Sequence, residues 1–317
     1  MSPRVPSSGR LWSVVLAGGE GLRLRPLVER IHADGRPKQY AVIVGNRSLL
    51  RQTLDRSGLI VPPERTVVVT TRTHQPFYSA ELGGPRAAGP RVIVQPRDRG
   101  TAAGVLLPVQ WVARQDPHAL VAVFPSDHFV GDDFAFTRHV AHLAVVAARH
   151  PELIHLLGAE PDGPETGYGW IEPGDELDRA PSGGLRRVVR FWEKPTPETA
   201  LACMERGGLW NTFVMVARAA TLIEAGRRAV PDLSERLSRI APLIGSDPEA
   251  PILDSAYLRT PQANFSADVL AAVPGMLAVS RMPPIGWSDW GTPDRVIATL
   301  RSEGISPGWL EELATSA

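Results

Sequence analysis

An apolar segment, Leu11 to Ala17, runs directly into Gly18-Gly19-Glu20-Gly21-Leu22-Arg23-Leu24-Arg25, and Arg36-Pro37-Lys38-Gln39-Tyr40 follows soon after. The apolar run reads as a buried strand, and it opens into three glycines, two arginines and then a lysine, the composition a polyphosphate-binding loop requires. Glycines let backbone N–H groups approach phosphate oxygens, and the cations neutralise them. The loop lacks the lysine-serine/threonine ending of a P-loop and the spacing of a dinucleotide fingerprint, so neither of those arrangements applies. A glycine turn beside a solvated basic face is the plainer use of the same residues.

The rest of the chain repeats the strand-then-helix rhythm. Apolar, β-rich runs recur at Thr66–Thr70, Arg91–Gln95 and Leu120–Phe124, and helical patterns separate them at about Ser48–Ser57 and Thr101–Arg114. A long helix is expected over Asp133–Arg149, then strands near Ile154–Ala159, Tyr168–Glu172, Arg186–Trp192 and Trp210–Ala217. Thr196-Pro197 and Thr292-Pro293 each read as an N-cap followed by proline at the first helical position. The expected fold is therefore α/β: a Rossmann-like mixed, mostly parallel sheet flanked by helices. Residues 1–10, rich in Pro, Ser and Arg, read as a mobile tail.

Composition excludes several classes of function. Lys plus Arg and Asp plus Glu are 34 each, so no global field argues for nucleic acid or an anionic membrane, and phosphate recognition must be local. Cys203 is the single cysteine, which rules out an intramolecular disulfide and a cysteine-rich zinc site. The first residues lack the apolar core of a signal peptide and no run is long enough to span a bilayer, so the cytoplasm is the default compartment. His139 and His142 stand at helical i,i+3 spacing, which reads as a helix surface rather than a metal pair. Oligomeric state is not legible; homo-oligomerisation stays open.

Three segments carry chemistry. Val121-Ala122-Val123-Phe124-Pro125-Ser126-Asp127-His128 is a buried-strand pattern that ends on a carboxylate, and ligands of open parallel sheets bind beyond the carboxyl ends of strands. A turn or helix cap is the ordinary alternative for Asp127. Glu193-Lys194-Pro195 ends another strand, and adjacent side chains there point to opposite faces unless the backbone turns between them. Gly286-Trp287-Ser288-Asp289-Trp290-Gly291-Thr292 places a second acid between tryptophans, where it could equally be a capped turn.

Together with the glycine-rich run, these segments resemble the signature of the sugar-1-phosphate nucleotidyltransferases, and Pro37-Lys38-Gln39-Tyr40 is similar to the mannose-1-phosphate guanylyltransferase branch. The resemblance covers about residues 11–295, which it implies to be one nucleotidyltransferase domain, leaving 296–317 as a C-terminal helical tail. It implies an enzyme that joins a hexose-1-phosphate, mannose-1-phosphate above all, to an NTP, GTP above all, with release of pyrophosphate. Arg23, Lys38, Asp127 and Lys194 would be catalytic. Gly18, Gly19, Gly21, Arg23 and Thr101 would bind nucleotide, and Gly169, Glu193, Lys194 and Asn211 would bind the sugar phosphate. Asp127 and Asp289 would bracket one Mg²⁺, an ion that takes one or two carboxylates and completes its shell with water and substrate phosphates. The same chemistry with another NTP or sugar, or a catalytically weak nucleotide-sugar-binding regulatory homologue, are the alternatives.

The sequence departs from the family pattern at named places. Trp210-Asn211-Thr212-Phe213 stands for tryptophan-asparagine-serine-glycine, and Arg99-Gly100-Thr101-Ala102-Ala103 for arginine-asparagine-threonine-alanine-proline. Sugar and base identity therefore stay open. Arg25 also replaces a common tryptophan, and the connection from Leu27 to Pro37 is a few residues longer than usual.

Overall fold

The computed structural model describes residues 10–83, 89–178, 184–245 and 249–310. The tail expected over residues 1–10 lies outside these except for Arg10, as do residues 311–317 of the expected C-terminal tail. Nine strands among the described residues, β1 (Leu11–Leu16), β2 (Thr66–Thr71), β3 (Arg91–Gln95), β4 (Leu120–Pro125), β5 (Ile154–Ala159), β6 (Gly169–Asp178), β7 (Leu185–Glu193), β8 (Leu209–Arg218) and β9 (Leu277–Arg281), form one sheet. Its order is β3-β2-β1-β4-β8-β5-β9-β7-β6. The helices are α1 (Arg25–His32), α2 (Leu49–Gly58), α3 (Gln75–Leu82), α4 (Gly100–Gln115), α5 (Asp133–Arg149), α6 (Pro197–Glu205), α7 (Ala219–Ala229), α8 (Pro231–Ile240), α9 (Glu249–Leu258) and α10 (Pro293–Ser302).

The sheet is mixed. β3, β2, β1 and β4 run parallel, as does the β5–β9 pair, whereas β8 is antiparallel to both β4 and β5 and the β6–β7 hairpin is antiparallel throughout. Strand residues alternate between two cores because successive side chains leave opposite faces. Val14, Val67 and Val121 join α4, α7 and α8 on one side, while Val15, Val68 and Ala122 join α2 and α5 on the other. Helices cover both faces, which is why these strands read as continuous apolar runs instead of alternating ones.

A third, smaller core holds the functional loops. Leu24 and Leu27, next to the glycine run, pack with Ala41, Phe129, Trp290, Val296 and Leu300. The boundary expected at residue 295 thus falls inside α10, whose Val296 and Leu300 are fully buried, and beyond it the indole N–H of Trp309 donates to the Ile43 carbonyl at 2.8 Å. Thr196 and Thr292 cap α6 and α10 from their hydroxyls, each with proline at the helix start, as their sequences require.

One expectation is corrected. His139 is not on a helix surface: it lies in the buried stripe of α5 with Phe136, Val140 and Leu143, and its Nε2 is 3.0 Å from Ser280 Oγ on β9. Burial pushes its pKa down to about 4, so the ring is neutral. The i,i+3 pair looked exposed because β9, whose serine receives His139, was not recognised in the sequence.

Candidate active site

The glycine-rich run leaves β1 at the carboxyl edge of the parallel strands, and the Pro37–Tyr40 segment fastens it there. Gln39 donates its amide to the carbonyls of Ala17 and Gly19 at 2.9 and 3.0 Å, and Tyr40 Oη is 2.9 Å from Thr70 Oγ1. Gly21 has φ +61°, and a Cβ there would stand 2.9 Å from Lys38 Cβ, so this glycine is required both by conformation and by the close passage of Lys38. Gly19 has open space around it.

Asp127 leaves the end of the adjacent strand, β4, where Ser126 Oγ donates to the Leu16 carbonyl at 2.6 Å. Two residues on, Phe129 exchanges backbone hydrogen bonds with Ser288 at 2.9 and 3.2 Å, and its ring stacks on Trp290 at 4.8 Å. That bridge brings Asp289 to Asp127. Lys38, only 4% exposed, donates to Asp127 Oδ2 at 3.1 Å and to the main-chain oxygen of Asp289. Asp289 is held more tightly. Its Oδ1 accepts from Tyr168 Oη at 2.9 Å, from the Gly291 N–H at 2.9 Å and from Arg295 Nη1 at 3.1 Å, while its Oδ2 lies 3.2 Å from the same Nη1.

Burial would raise both carboxyls, but the charges around them prevail. Lys38 is the nearest cation to Asp127, and His128, then Arg295 and the Gly291 N–H, act on Asp289, so both stay below the ordinary carboxylate value. His128 packs edge-on to Trp287 with Nε2 3.8 Å from Asp127 Oδ1 and Nδ1 buried without a partner among the described residues. Desolvation lowers its pKa, against the opposing pull of the Asp127 and Asp289 carboxylates.

A second group meets around Gly169, at the start of β6. A Cβ there would stand 3.0 Å from Glu193 Oε2, 3.2 Å from Phe191 and 3.3 Å from Asn211. Glu193 is raised by desolvation, against the opposing effects of Lys194 and a hydrogen bond from Ser266. The backbone does turn between Glu193 and Lys194: Lys194 has φ +48°, and its side chain, 60% exposed, comes back to 4.0 Å from Glu193. Asn211 Oδ1 accepts from the Phe213 N–H at 3.1 Å. Phe213 itself has φ +60°, in the left-handed region. The family glycine at this place thus answers a conformational demand that the phenylalanine meets under strain.

Gly100 has the opposite explanation. With φ +79° and the Ala263 oxygen 2.2 Å from any Cβ, the position admits only glycine. The strand of backbone that crosses here is fixed by Ala102 N–H to Ala263 O at 3.1 Å and Phe265 N–H to Thr101 Oγ1 at 2.8 Å. A cleft of about 490 Å³ opens between this crossing and the glycine run, lined by Gly18, Gly19, Gly100, Thr101, Asn264 and Asp268 among others.

The glycine run, Lys38, Asp127 and Asp289 thus meet at the carboxyl edge of β1 and β4, Gly169, Glu193 and Asn211 form the second group, and the Arg23 guanidinium lies close to Gly291 and Gly167. Sequence reasoning missed Arg295 and Ser266, and it gave no role to Glu165, which opens the Glu165-Thr166-Gly167-Tyr168-Gly169-Trp170 segment similar to the family's sugar loop. Arg295 follows the Trp287–Gly291 segment closely and Glu165 opens the Thr166–Gly169 turn, so their positions were signals; Ser266 had none. Among the described residues no group of three or more His, Cys, Asp or Glu side chains could hold a metal alone. The Asp127 carboxylate and the Asp289 main-chain oxygen meet at the Lys38 ammonium, and with the Asp289 carboxylate beside them they are a hard-oxygen donor set suited to a divalent cation whose other ligands come from phosphate and water.

The chain is similar to known proteins over most of its length. The family model described as "Nucleotidyl transferase" matches residues 12–302. The chain is 33% identical over 224 residues to the alginate biosynthesis protein AlgA of Pseudomonas fluorescens, covering 69% of this chain and 44% of that protein. It is 30% identical over 289 residues to the mannose-1-phosphate guanylyltransferase ManC of Salmonella typhimurium, covering 89% of this chain and 58% of that one. The chain thus spans about half the length of the curated relatives it matches. A crystal structure named mannose-1-phosphate geranyltransferase, from Thermus thermophilus, superposes with a TM-score of 0.75 at 30% identity, over 89% of this chain and 76% of that one.

Proposed function

From the premise that this chain belongs to the nucleotidyl transferase family, we propose that it joins mannose-1-phosphate to GTP, releasing pyrophosphate and forming GDP-mannose. The observation that carries the reading is the meeting of Asp127, Asp289 and Lys38 beside the glycine-rich loop. Names of relatives such as ManC support the choice of sugar and base.

In this reaction a phosphate oxygen of the sugar-1-phosphate attacks the α-phosphorus of the NTP, and the bond to the bridging oxygen breaks as pyrophosphate leaves. A phosphate monoester is already ionised near neutrality, so the nucleophile needs no general base. What the protein must supply is in-line alignment and screening between two anions. The N–H groups around Gly18, Gly19 and Gly21 receive the nucleotide phosphates, and Arg23, which has no ionic partner among the described residues, adds charge beside them. Lys38 offers an ammonium fixed by Asp127. Thr101 and the cleft behind it take the nucleoside. Gly169 makes room for the hexose, whose hydroxyls bond to Glu193 and to the Asn211 amide, while exposed Lys194 swings onto the sugar phosphate.

Asp127 and Asp289 would hold Mg²⁺, which when bound screens the phosphate oxygens and favours charge on the departing pyrophosphate. Asp127→Asn and Asp289→Asn test this set. Each is expected to lower pyrophosphate release by about 10²-fold or more while circular dichroism stays native; turnover at the wild-type rate in both would remove the acids from the mechanism.

A further inference from the structure

Arg295 occupies a position that local helix energetics disfavour. It is in the first turn of α10, three residues after the Thr292 cap, where the helix dipole opposes a cation. Tertiary contacts repay that cost. One guanidinium nitrogen, Nη1, reaches both oxygens of Asp289 at 3.1 and 3.2 Å, Nη2 donates to Glu165 Oε2, and the guanidinium carbon lies 4.2 Å from the centre of the Tyr168 ring. The side chain is 19% exposed and Asp289 is 13% exposed, so little water screens the pair. Glu165 is 44% exposed, the more solvated of the two carboxylates that hold Arg295. Gly167, between Glu165 and Tyr168, leaves the room: a Cβ there would stand 3.2 Å from Arg295 Nη2.

The two acids of the site therefore carry one resident cation each, Lys38 on Asp127 and Arg295 on Asp289. A divalent ion that approaches Asp289 meets a carboxylate already occupied by a guanidinium. We infer that Arg295 is a positioning residue that competes with the divalent cation for Asp289 and sets how tightly the site takes it, with Glu165 as the alternative resting place of the guanidinium. When the ion arrives, Arg295 gives up Asp289 and stays anchored by Glu165 and the Tyr168 face. This inference rests on the reading of Asp127 and Asp289 as the cation-binding pair, and it differs from it by assigning the affinity to a third side chain.

The two anchors of Arg295 make opposite predictions. Arg295→Gln removes the competitor and is expected to tighten Mn²⁺ binding by about five- to tenfold, the effect of one partly screened like charge at contact range. Glu165→Gln removes the resting place, commits Arg295 to Asp289 and is expected to weaken Mn²⁺ binding by about two- to fivefold. The measurement is loss of the free Mn²⁺ electron paramagnetic resonance signal on titrating the full chain without nucleotide, for wild type, Arg295→Gln, Arg295→Lys, Glu165→Gln and Asp127→Asn. Arg295→Lys keeps the charge and is expected to stay near wild type. If Arg295 merely staples the two loops, Arg295→Gln and Glu165→Gln will weaken binding together or leave it unchanged, and either result overturns the inference. Undiminished Mn²⁺ binding in Asp127→Asn would instead overturn the two-carboxylate reading beneath it, and no Mn²⁺ binding by wild type would overturn both.

Discussion

Lys38 donates its ammonium to the main-chain oxygen of Asp289, 251 positions away in the sequence, while the same nitrogen holds Asp127 at 3.1 Å. This contact ties the two ends of the site to the segment that fastens the glycine-rich loop. Lys38→Met keeps the stem and removes the charge. The expected result is a loss of about 10²–10³ in kcat, from removal of a fixed cation where two anionic substrates meet, with Asp127 titrating higher than in wild type because its nearest countercharge is gone. Steady-state kinetics with the acid limb of the pH profile checks both parts.

Two glycines that line the cleft beside the glycine-rich run separate folding from binding. Gly100→Ala forces a Cβ to within 2.2 Å of the Ala263 oxygen at φ +79°, so a destabilisation of about 2–4 kcal/mol is expected. Gly19→Ala meets nothing within 4 Å and should melt like wild type. If the cleft receives the NTP, however, Gly19→Ala raises its KM. Thermal melts and KM values for both variants make the comparison.

Gly169→Ala tests the sugar side. Its Cβ would fill the space between Glu193, Phe191 and Asn211, with contacts of 3.0 to 3.3 Å that a small shift can absorb. Stability is expected to fall by less than about 1.5 kcal/mol, while KM for the sugar phosphate rises and KM for the NTP does not. A matched rise in both would place Gly169 outside the sugar pocket.

The strands and the acids were legible because each carries its own local signal. Buried parallel strands are apolar throughout, so β1, β2, β3 and β4 could be read one at a time, and Asp127 announced itself at the end of β4. By contrast β9 spans only Leu277–Arg281 and lies beside strands far away in sequence, and without it His139 looked like a surface residue. The role of Arg295 was hard to read for a related reason, its place beside the Trp287–Gly291 segment being the sole hint. A guanidinium in the first turn of a helix has no periodic signature, and its partners Glu165 and Asp289 meet only when β6 and the segment after β9 have folded. The departures at Gly100 and Phe213 were visible, but their meaning was geometric. Gly100 is demanded by the Ala263 backbone, whereas Phe213 tolerates a left-handed backbone beside Phe265.

Two buried histidines predict acid sensitivity. His139 and His155 are both lowered to about 4, mainly by desolvation, so the unfolded chain binds protons from near pH 6.5 that the folded chain refuses. Their contribution to stability is therefore present above about pH 6.5 and lost as pH falls towards 4, on the order of 2–3 kcal/mol apiece. Urea midpoints at pH 7 and pH 5 are expected to converge in His139→Gln relative to wild type, since glutamine can bond Ser280 without titrating.

Pyrophosphate release, measured with Mg²⁺ and each of four NTPs against mannose-1-phosphate and glucose-1-phosphate, decides whether this site makes GDP-mannose. Release is expected with GTP and mannose-1-phosphate, and is lost in Asp127→Asn. Silence with that pair alongside turnover of another would contradict the proposed substrates, and silence across every combination would contradict catalysis at this site.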